Sequence, residues 1–401
     1  MNIETIVAEA VSTGFPATFV VPLPGKETYR LGELRRLCSK HGVVRFTPYE
    51  EENVLKGLLA VVEEGEAVPL IALSMIARDD VVSLERAIVS CIDQVDEIVI
   101  AVDGRSEQGT KDVALAYADT AVVFQASDIG MSPEDWAADK IHFANARNFG
   151  RERVSAPWSL VVDSDEVLAT NEDLREVVKK ASVATGAFNV SMGTEEFEQR
   201  DAQRLARTYF RFFSAMHNQL PIEGEVGEAD AFIVHDVSLR SEAEMVRRAK
   251  QREDGVPELI EQGKRGDLSA LFHAAKHLIG LRDERGVELA AEYRLRTEIH
   301  GPKAVERMWL ALSAAAYYHE KEDLRNAEAW AMRVLLDGPR VEAFCLLGDI
   351  AEDEKDYRRA LAWYECACVV EPETMKFLIA EELRRRFERR DGLRQFVASL
   401  G

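Results

Sequence analysis

Two aspartates, Asp163 and Asp165, follow the apolar run WSLVV with one residue between them. Successive side chains of a strand point to opposite faces, so residues two apart point to the same side. Converging carboxylates provide the hard oxygen ligands that Mg2+ and Mn2+ prefer, with water and substrate phosphates completing the shell. The pair could instead cap the next helix, but residues 170–173 already carry a capping signature for it. We therefore predict a divalent metal site at the end of this strand.

Polar residues also follow two earlier apolar runs. Arg78 and Asp79 come after IALSMI, and Asp103 comes after EIVIAV, where it opens the turn-rich segment DGRSEQGT. A carboxylate there can accept hydrogen bonds from a base or a ribose, although a plain Asp-Gly turn explains the residue equally well.

A further candidate segment, ANARNFGRER, lies upstream of the aspartate pair and contains Arg147 and Asn148. Arginine suits phosphate because its planar guanidinium donates hydrogen bonds in pairs. The two residues are therefore candidates for binding a diphosphate and sugar hydroxyls. The alternative for the arginine is a solvated position on a helix surface.

The elements that must position these residues alternate between strands and helices. The strand-like runs are IALSM, EIVIAV, AVVF, WSLVVD and FNVSM, and the helical stretches between them cover residues 81–92, 110–118, 138–153 and 172–184. This order predicts an α/β domain over residues 69–238 with a mostly parallel, covered sheet. Such sheets place ligands at the carboxyl ends of their strands, where the polar residues above stand.

Beyond this domain the pattern becomes helical, and residues 239–401 are predicted to form an all-α repeat domain. The clearest unit is VEAFCLLGDIAEDEKDYRRALAWYECACVVEP, whose aromatic, Leu-Gly, small and Pro positions follow the tetratricopeptide pattern. Small residues such as Gly348 allow the two helices of a unit to approach closely. Weaker copies precede this unit at close to the same period, although an ordinary helical bundle could explain the first of them.

Residues 1–68 show a shorter mixture of elements. An apolar run at residues 18–23, a basic helix at 31–38, a strand at 43–46 and a helix over 51–62 predict an α/β extension of unknown role. It could add to the edge of the main sheet or form an interface.

Composition bounds these interpretations. The 401 residues are 47% apolar and 30% charged, which indicates two or three globular domains. The net charge of −21 disfavours general coating of nucleic acid or a membrane surface. Five scattered cysteines without a CxxC pair signal neither a zinc site nor a disulfide framework. With no signal-like start and no apolar run of roughly 20 residues, we expect a cytoplasmic protein without membrane contact.

The motifs taken together resemble the inverting family 2 nucleotide-sugar glycosyltransferases of the glycosyltransferase-A fold, particularly the bacterial and phage-borne branch with C-terminal tetratricopeptide repeats. The resemblance covers roughly residues 69–372 and runs through ALSMIARDD, VDEIVIAVDGRSEQGT, ANARNFG, WSLVVDSDEVL and IEGEVGE in the family's order. It implies a hexosyltransferase that uses Mn2+ or Mg2+ and a nucleotide-sugar donor such as a UDP-sugar.

The resemblance also implies roles for individual residues. It puts Asp103 near the nucleobase, Asp163 near the ribose and the metal, and Asp165 on the metal, with Arg147 and Asn148 beside the diphosphate or sugar.

Three further residues are implied beyond these. Glu225 and Glu228 in IEGEVGE become candidates for the base that takes the acceptor's proton, against a solvated loop as the alternative. His235, after AFIV, matches a histidine that related enzymes place near the metal, against a structural role.

The chain departs from the family at three positions. Asp79 stands where Asn is usual, Gln108 where Asp is frequent, and Gly227 where Val-His-Glu is common. The first two departures bear on the identity of the nucleotide, and the third bears on the base.

The sequence does not determine which kind of molecule accepts the sugar. A repeat domain offers an extended concave surface that suits a protein or peptide. A rival is a phage-type enzyme acting on hydroxymethylated pyrimidines in DNA, since basic clusters at residues 247–252 and 384–390 could track a phosphate backbone. A non-catalytic repeat adaptor with a degenerate nucleotide-sugar-binding domain is a third interpretation, which the retained Asp163, Asp165, Arg147 and Asn148 oppose. An oligomer is possible.

Overall fold

The computed structural model divides the chain into two compact units, the first formed by residues 1–194 and 200–240 and the second by residues 195–199 and 241–401. The predicted domain limits at residues 68/69 and 238/239 stay predictions. The structure describes residues 3–12, 14–23, 30–40, 42–52, 54–65, 68–79, 81–193, 198–213, 220–235, 242–298, 301, 303–370 and 380–399.

The first unit contains a three-stranded antiparallel sheet near its N-terminus. Its elements are α1 (Ile3–Ser12), β1 (Ala17–Pro22), α2 (Leu31–Ser39), β2 (Val43–Glu51) and β3 (Val54–Glu63), with the strand order β1-β3-β2. The helix predicted over residues 51–62 is wrong, because this stretch forms the central strand β3. Valines and alternating burial, with Leu58, Ala60 and Val62 inside, suit a half-buried strand paired on both edges.

The main sheet of this unit has eight strands. They are β4 (Ile71–Ala77), β5 (Glu97–Asp103), β6 (Thr120–Phe124), β7 (Trp158–Val161), β8 (Glu166–Thr170), β9 (Thr185–Gly193), β10 (Glu198–Arg207) and β11 (Glu225–His235). Their order is β6-β5-β4-β7-β10-β9-β11-β8. The strands from β6 to β7 pair in parallel, whereas β10 is antiparallel to β7, and β11 is parallel to β9 and antiparallel to β8.

The α/β class of the first unit is confirmed, and the sheet is mixed: the pairings β4/β5, β4/β7, β5/β6 and β9/β11 are parallel, whereas β7/β10 and β8/β11 are antiparallel. Strands β8, β10 and β11 lie outside the five apolar runs that predicted strands, and β10 reads EQRDAQRLAR. Its polar sequence lacks the continuous apolar signal of β5, whose seven residues are all buried.

Helices connect and cover the parallel strands. They are α3 (Val81–Cys91), α4 (Gln108–Tyr117), α5 (Pro133–Ala137), α6 (Phe143–Arg151) and α7 (Leu174–Lys179). The helix predicted over residues 138–153 is confirmed only as the shorter α6, and the short α5 ends just before this stretch. His142 caps α6, since its Nδ1 accepts a hydrogen bond from the backbone N–H of Asn145.

The strand order creates a switch point between β4 and β7. From β4 the chain adds β5 and then β6 on one side, and it returns to the other side with β7. In open α/β sheets ligands bind in the crevice beyond the carboxyl ends of the two strands at such a point. Arg78 and Asp163 follow these two strand ends.

The N-terminal segment packs onto the main domain through α2. At Gly32 an added Cβ would lie 2.8 Å from the carbonyl oxygen of Ala118, so the helix backbone approaches the turn after α4 closely. Arg35 bonds the carboxylate of Asp119, which also accepts from the N–H of Ile98 at 2.8 Å. The segment therefore forms a separate sheet and does not extend the edge of the main sheet.

The second unit is all helical. Its helices are α8 (Glu242–Lys264), α9 (Leu268–Gly280), α10 (Arg285–Arg296), α11 (Ala304–Glu320), α12 (Leu324–Leu335), α13 (Val341–Asp353), α14 (Tyr357–Val369) and α15 (Ala380–Ser399). Consecutive helices α9/α10, α11/α12 and α13/α14 pack as hairpins, and α11 also contacts α9 and α13. This arrangement fits the predicted helical repeats.

One close contact holds the best-defined repeat together. Gly348 of α13 faces the ring of Tyr364 of α14, and the tyrosine hydroxyl donates to Asp349 at 2.6 Å or Glu352 at 3.0 Å. The small residue at this position is thus required by the approach of the two helices, as the sequence predicted.

No helix in the described ranges is long and apolar enough to cross a membrane.

Replacing Gly348 by alanine is expected to destabilise the chain by about 1–3 kcal/mol, because an added Cβ would lie 2.6 Å from the buried Tyr364 ring. Gly392→Ala is the matched control, since nothing lies within 4 Å of its added Cβ and the residue is inside α15. The control should gain about 0.5–1 kcal/mol. Urea unfolding of the two variants followed by circular dichroism measures both. Equal stability of Gly348→Ala and the native chain would contradict this packing.

Candidate active site at the carboxyl edge of the sheet

Asp163 stands two residues beyond β7 in a tight turn. Its backbone N–H donates to Glu166 Oε2 at 2.8 Å, which closes the turn between β7 and β8. Arg147 of α6 donates to its carboxylate. Burial would raise the pKa of Asp163, but the charges of Arg147 and Arg204 outweigh it and hold the pKa well below the ordinary value. Asp163 is therefore ionised at neutral pH.

Arg204 of β10 lies between two carboxylates. Its Nη2 donates to Glu166 Oε1 at 2.8 Å, and its Nη1 is 4.0 Å from Asp163 Oδ2. Its Nε contacts the sulfur of Met192 at 3.2 Å. One partly buried guanidinium thus ties the strand β10 to the turn that carries Asp163.

Glu166 is 1% exposed, and both of its carboxylate oxygens are used inside the protein. Burial raises the pKa of Glu166 to about 7, against the opposing charge of Arg204 and with the support of the Asp163 carboxylate. Because it contacts the Asp163 backbone and Arg204 rather than open solvent, Glu166 acts as a positioning residue for the turn.

Asp165 and His235 meet at the same edge. Antiparallel pairing of β11 with β8 places His235 opposite Glu166, and His235 Nε2 lies 3.6 Å from Asp165 Oδ2. Asp165 is 3% exposed. A carboxylate and an imidazole this close could both bind one divalent cation. Within the described part of the chain, no three His, Cys, Asp or Glu side chains are grouped so that they could hold a metal ion together.

Arg147 carries donors that the protein does not satisfy. The residue is 8% exposed, and its Nε and Nη1 atoms are buried without a hydrogen-bond partner, while Nη2 binds Asp163. Its guanidinium also lies 5.6 Å from the ring centroid of Phe212. Unsatisfied buried donors are costly, so this position favours an anionic ligand that would accept from them.

The amide of Asn148 has a different use. Its Nδ2 donates to the carbonyl of Phe212 at 2.8 Å, and its Oδ1 accepts from the Phe212 N–H at 2.8 Å. Both polar ends of the side chain therefore hold the segment after β10 against α6. Asn148 follows Arg147 in α6, but both atoms of its amide are hydrogen-bonded to the main chain of Phe212.

Asp103, the last residue of β5, is enclosed by the protein. Its side chain is 1% exposed, and Arg105 donates from Nε to Oδ1 at 2.9 Å and from Nη2 to Oδ2 at 2.6 Å. The Nη1 of Arg78 lies 3.7 Å from Oδ2. The Asp103 carboxylate, which was predicted to contact the nucleobase, thus accepts hydrogen bonds from Arg105 and lies close to Arg78.

Arg105 also anchors the loop that covers this edge. Its Nη1 donates to the carbonyl oxygens of Trp136 at 2.9 Å and Lys140 at 3.0 Å, and its guanidinium lies 3.7 Å from the Trp136 ring centroid. Arg105 and Asp103 together fix the loop between α5 and α6 against the end of β5.

Asp79 shapes the loop after β4. It has a positive φ of 48°, which aspartate tolerates better than most residues, and its Oδ1 accepts from the N–H of Glu107 at 2.8 Å. Because Glu107 precedes α4, this bond joins the loop after β4 to the one after β5. Arg78 and Asp79 therefore stand at the predicted crevice.

The two glutamates predicted as the base lie elsewhere. Glu225 begins β11 and pairs in register with Thr185, and the Glu228 carboxylate accepts from the Asn189 amide at 2.9 Å. His235 ends the same strand at the crevice. At about 3.3 Å per residue, Glu228 is roughly 20 Å from that end. The structure does not bring either glutamate to Asp163 and Asp165.

Three residues of this site were missed by sequence reasoning: Arg105, Glu166 and Arg204. Arg105 could have been found as a cation two residues after a buried strand-terminal aspartate. Glu166 directly follows Asp165 in DSDE. Arg204 carried no signal, because its strand was not recognised.

A family comparison matches this part of the chain. The sequence model described as Glycosyl transferase family 2 matches residues 75–233, which include every strand from β5 to β10 and most of β11.

Two kinds of relative add to this match. A TPR repeat-containing protein of Synechococcus elongatus is 30% identical over 147 residues, which is 36% of this chain and 32% of that protein. The chain thus matches about a third of the length of this curated relative. S. aureus TarS 1-349, solved in complex with UDP-GlcNAc, superposes with a TM-score of 0.30 at 10% identity, covering 74% of this chain and 90% of that one. The structure of TarS 1-349 alone gives a TM-score of 0.29 at 9% identity.

The raised pKa of Glu166 predicts a defined pH dependence of stability. Between the ordinary pKa of glutamate and about pH 7, the folded state holds a proton that the unfolded state has released. The free energy of unfolding should therefore fall as the pH rises through this window, by about 3 kcal/mol for a shift of this size. Asp163, whose pKa is lowered, contributes only in more acidic solution.

Glu166→Gln should remove this part of the pH dependence, because the amide cannot ionise. Urea unfolding of both proteins at pH 5 and pH 8 measures the difference. The variant should lose less stability than the native chain between the two pH values. Parallel profiles would show that Glu166 titrates normally.

Proposed function

We propose, from the glycosyl transferase family 2 domain that residues 75–233 form, that this protein transfers a sugar from a nucleotide-sugar, with a UDP-sugar as the expected donor, to a protein or peptide acceptor. The observation that carries the proposal is Arg147, whose buried, unpartnered donors adjoin Asp163 at the switch point of the sheet. The transfer is proposed as a single displacement with inversion: the acceptor atom bonds to the anomeric carbon as the bond from that carbon to the diphosphate breaks, and the acceptor gives up its proton.

The diphosphate of the donor would accept from Nε and Nη1 of Arg147. These two donors are buried, so water screens their charge little and their attraction for the leaving diphosphate is strong. The ion pair with Asp163 keeps the guanidinium in place before the donor binds. Positioned charge of this kind needs no reorganisation as the bond to the sugar breaks.

Asp165 and His235 would hold the Mn2+ or Mg2+ ion, with Asp163 beside them. The ion would supply positive charge to the leaving diphosphate. Arg147 and Arg204 offset the charges of Asp163 and Glu166, so the carboxylate of Asp165 would face the dication when Glu166 is ionised. Arg204 and Glu166 would keep the turn in the geometry that presents both aspartates.

A protein or peptide is the proposed acceptor because the helical unit fits repeats, which present extended surfaces to such partners. The basic clusters that would favour DNA give little support. Arg389 pairs with Glu352 at 2.6 Å and Arg390 with Asp391 at 2.7 Å. The other arginines of the two clusters have side chains outside the described residues.

Removing single groups from the site should strongly reduce donor cleavage. Native protein is incubated with UDP-, GDP- and TDP-sugars and Mn2+, and release of nucleoside diphosphate is measured with and without a panel of peptides and duplex DNA. Arg147→Met should lower the rate about 100–1000-fold, since one preorganised donor to the developing charge is lost. Asp165→Asn should remove the stimulation by Mn2+.

Absence of release from every donor, together with absence of nucleotide binding, would reject the transferase and leave the adaptor interpretation. Stimulation by DNA rather than by peptides would replace the proposed acceptor.

Glu225→Gln and Glu228→Gln serve as matched controls and test the sequence-based choice of base. Both glutamates are exposed and belong to the strand that ends at His235. Since Glu228 is roughly 20 Å from that end of the strand, both variants should retain more than half of the native rate. A loss of 100-fold or more in either variant would restore that glutamate as the base.

A further inference from the structure

The carboxyl end of β5 carries one enclosed carboxylate and faces one accessible carboxylate. Asp103 is 1% exposed and bonded through both oxygens to Arg105. Asp139, in the loop between α5 and α6, is 38% exposed at its side chain. The two carboxylates share neighbours, since Arg78 bonds Asp139 and lies 3.7 Å from Asp103.

Asp139 is held in one orientation by its surroundings. Arg78 Nη2 donates to its Oδ1, and Arg105 Nη1 lies 3.6 Å from the same oxygen. Its backbone has a φ of 65°, in the left-handed region, and its N–H donates to the Trp136 carbonyl at 3.1 Å. A side chain fixed in this way and still exposed can accept from a ligand at little entropic cost.

The two sides of the switch point differ in chemistry. On the β7 side, Arg147 offers unpartnered donors that suit the diphosphate. The crevice of the switch point lies between the ends of β4 and β7, so a nucleotide whose diphosphate binds at Arg147 would have the ends of β4 and β5 on its other side. Base N–H groups and ribose hydroxyls are hydrogen-bond donors, so that side must supply acceptors. Both oxygens of Asp103 accept hydrogen bonds from Arg105, and one oxygen of Asp79 accepts from the N–H of Glu107.

We propose that Asp139 is the carboxylate that accepts hydrogen bonds from the nucleoside of the donor, held by Arg78, with Asp103 acting as a positioning residue through Arg105. The inference rests on the proposed function and adds a residue that determines which nucleoside is bound. Base N–H and ribose O–H donors share this chemistry, and ligands that lack one or the other separate them.

Two variants remove the carboxylate without straining the loop. Asp139→Asn keeps the size of the side chain, and asparagine tolerates the left-handed region. Asp139→Gly removes the side chain at a φ that favours glycine, so the variant is expected to fold. Asp135→Asn is the matched control, because Asp135 lies in α5, in the same loop region, and bonds Lys140 and Ser132.

The measurement is isothermal titration calorimetry of the full chain with Mn2+ and with UDP, GDP, TDP, 2′-deoxyuridine diphosphate and inorganic pyrophosphate. Native protein and Asp135→Asn should bind the same preferred nucleoside diphosphate. Both Asp139 variants should bind it about 10-fold or more weakly, the loss expected for one hydrogen bond to a charged group. Pyrophosphate affinity should stay within 2-fold, which a general disturbance of the site would not allow.

The same ligands also identify which group of the nucleotide donates the hydrogen bond to Asp139. If 2′-deoxyuridine diphosphate binds native protein as weakly as UDP binds the variants, the ribose 2′-hydroxyl is the partner. If it binds native protein as UDP does, the partner is on the base or at another ribose hydroxyl. Either result supports the contact with Asp139.

Equal nucleotide affinity in native protein and both Asp139 variants would overturn this inference and leave the proposed function standing. Equal losses for UDP and pyrophosphate would also overturn it, because Asp139 would then act on the whole site. Failure of native protein to bind any nucleotide would reject the proposed function and the inference together.

Discussion

The site depends on an alternation of guanidinium and carboxylate groups: Arg147, Asp163, Arg204 and Glu166. Arg147 and Glu166 are buried and Asp163 and Arg204 are partly buried, so each charge would be costly alone and each is matched by an opposite neighbour or a hydrogen bond. The four residues come from α6, the turn after β7, β10 and β8, so satisfying their charges fixes the relative positions of these elements. Arg147 keeps two buried donors without a hydrogen-bond partner, which is energetically unfavourable. That is where a ligand anion gains most from binding.

The register of β11 against β8 positions the remaining groups of the site, His235 and Asp165. Pairing of β11 with β8 sets His235 opposite Glu166, and side chains alternate faces along a strand. A slip by one residue would turn the histidine away from Asp165. The same register sends the start of β11, with Glu225 and Glu228, to the opposite edge of the sheet. One pairing therefore explains both why the histidine meets the aspartate and why the glutamates do not.

The parts of the fold that could be predicted from sequence are those with strong periodic signals. The parallel strands β4 to β7 are continuous apolar runs, and Asp163 and Asp165 follow one of them directly. The general base could not be predicted, because Glu225 and His235 are close in sequence but lie at opposite ends of the strand β11. The enclosure of Asp103 depends on Arg105 and on a loop that closes over it, which no spacing reveals. Strand β3 reads as a helix in isolation and becomes a strand through pairing with both neighbours.

The N-terminal segment acquires a structural role from a single carboxylate. Asp119 accepts from the N–H of Ile98 in β5 and from Arg35 in α2, so it couples the added sheet to the strand that ends in Asp103. The close approach of Gly32 to the turn after α4 leaves no room for a larger residue at that contact. Asp119 and the contact at Gly32 therefore hold α2 against the turn after α4, beside β5, the strand whose last residue is Asp103.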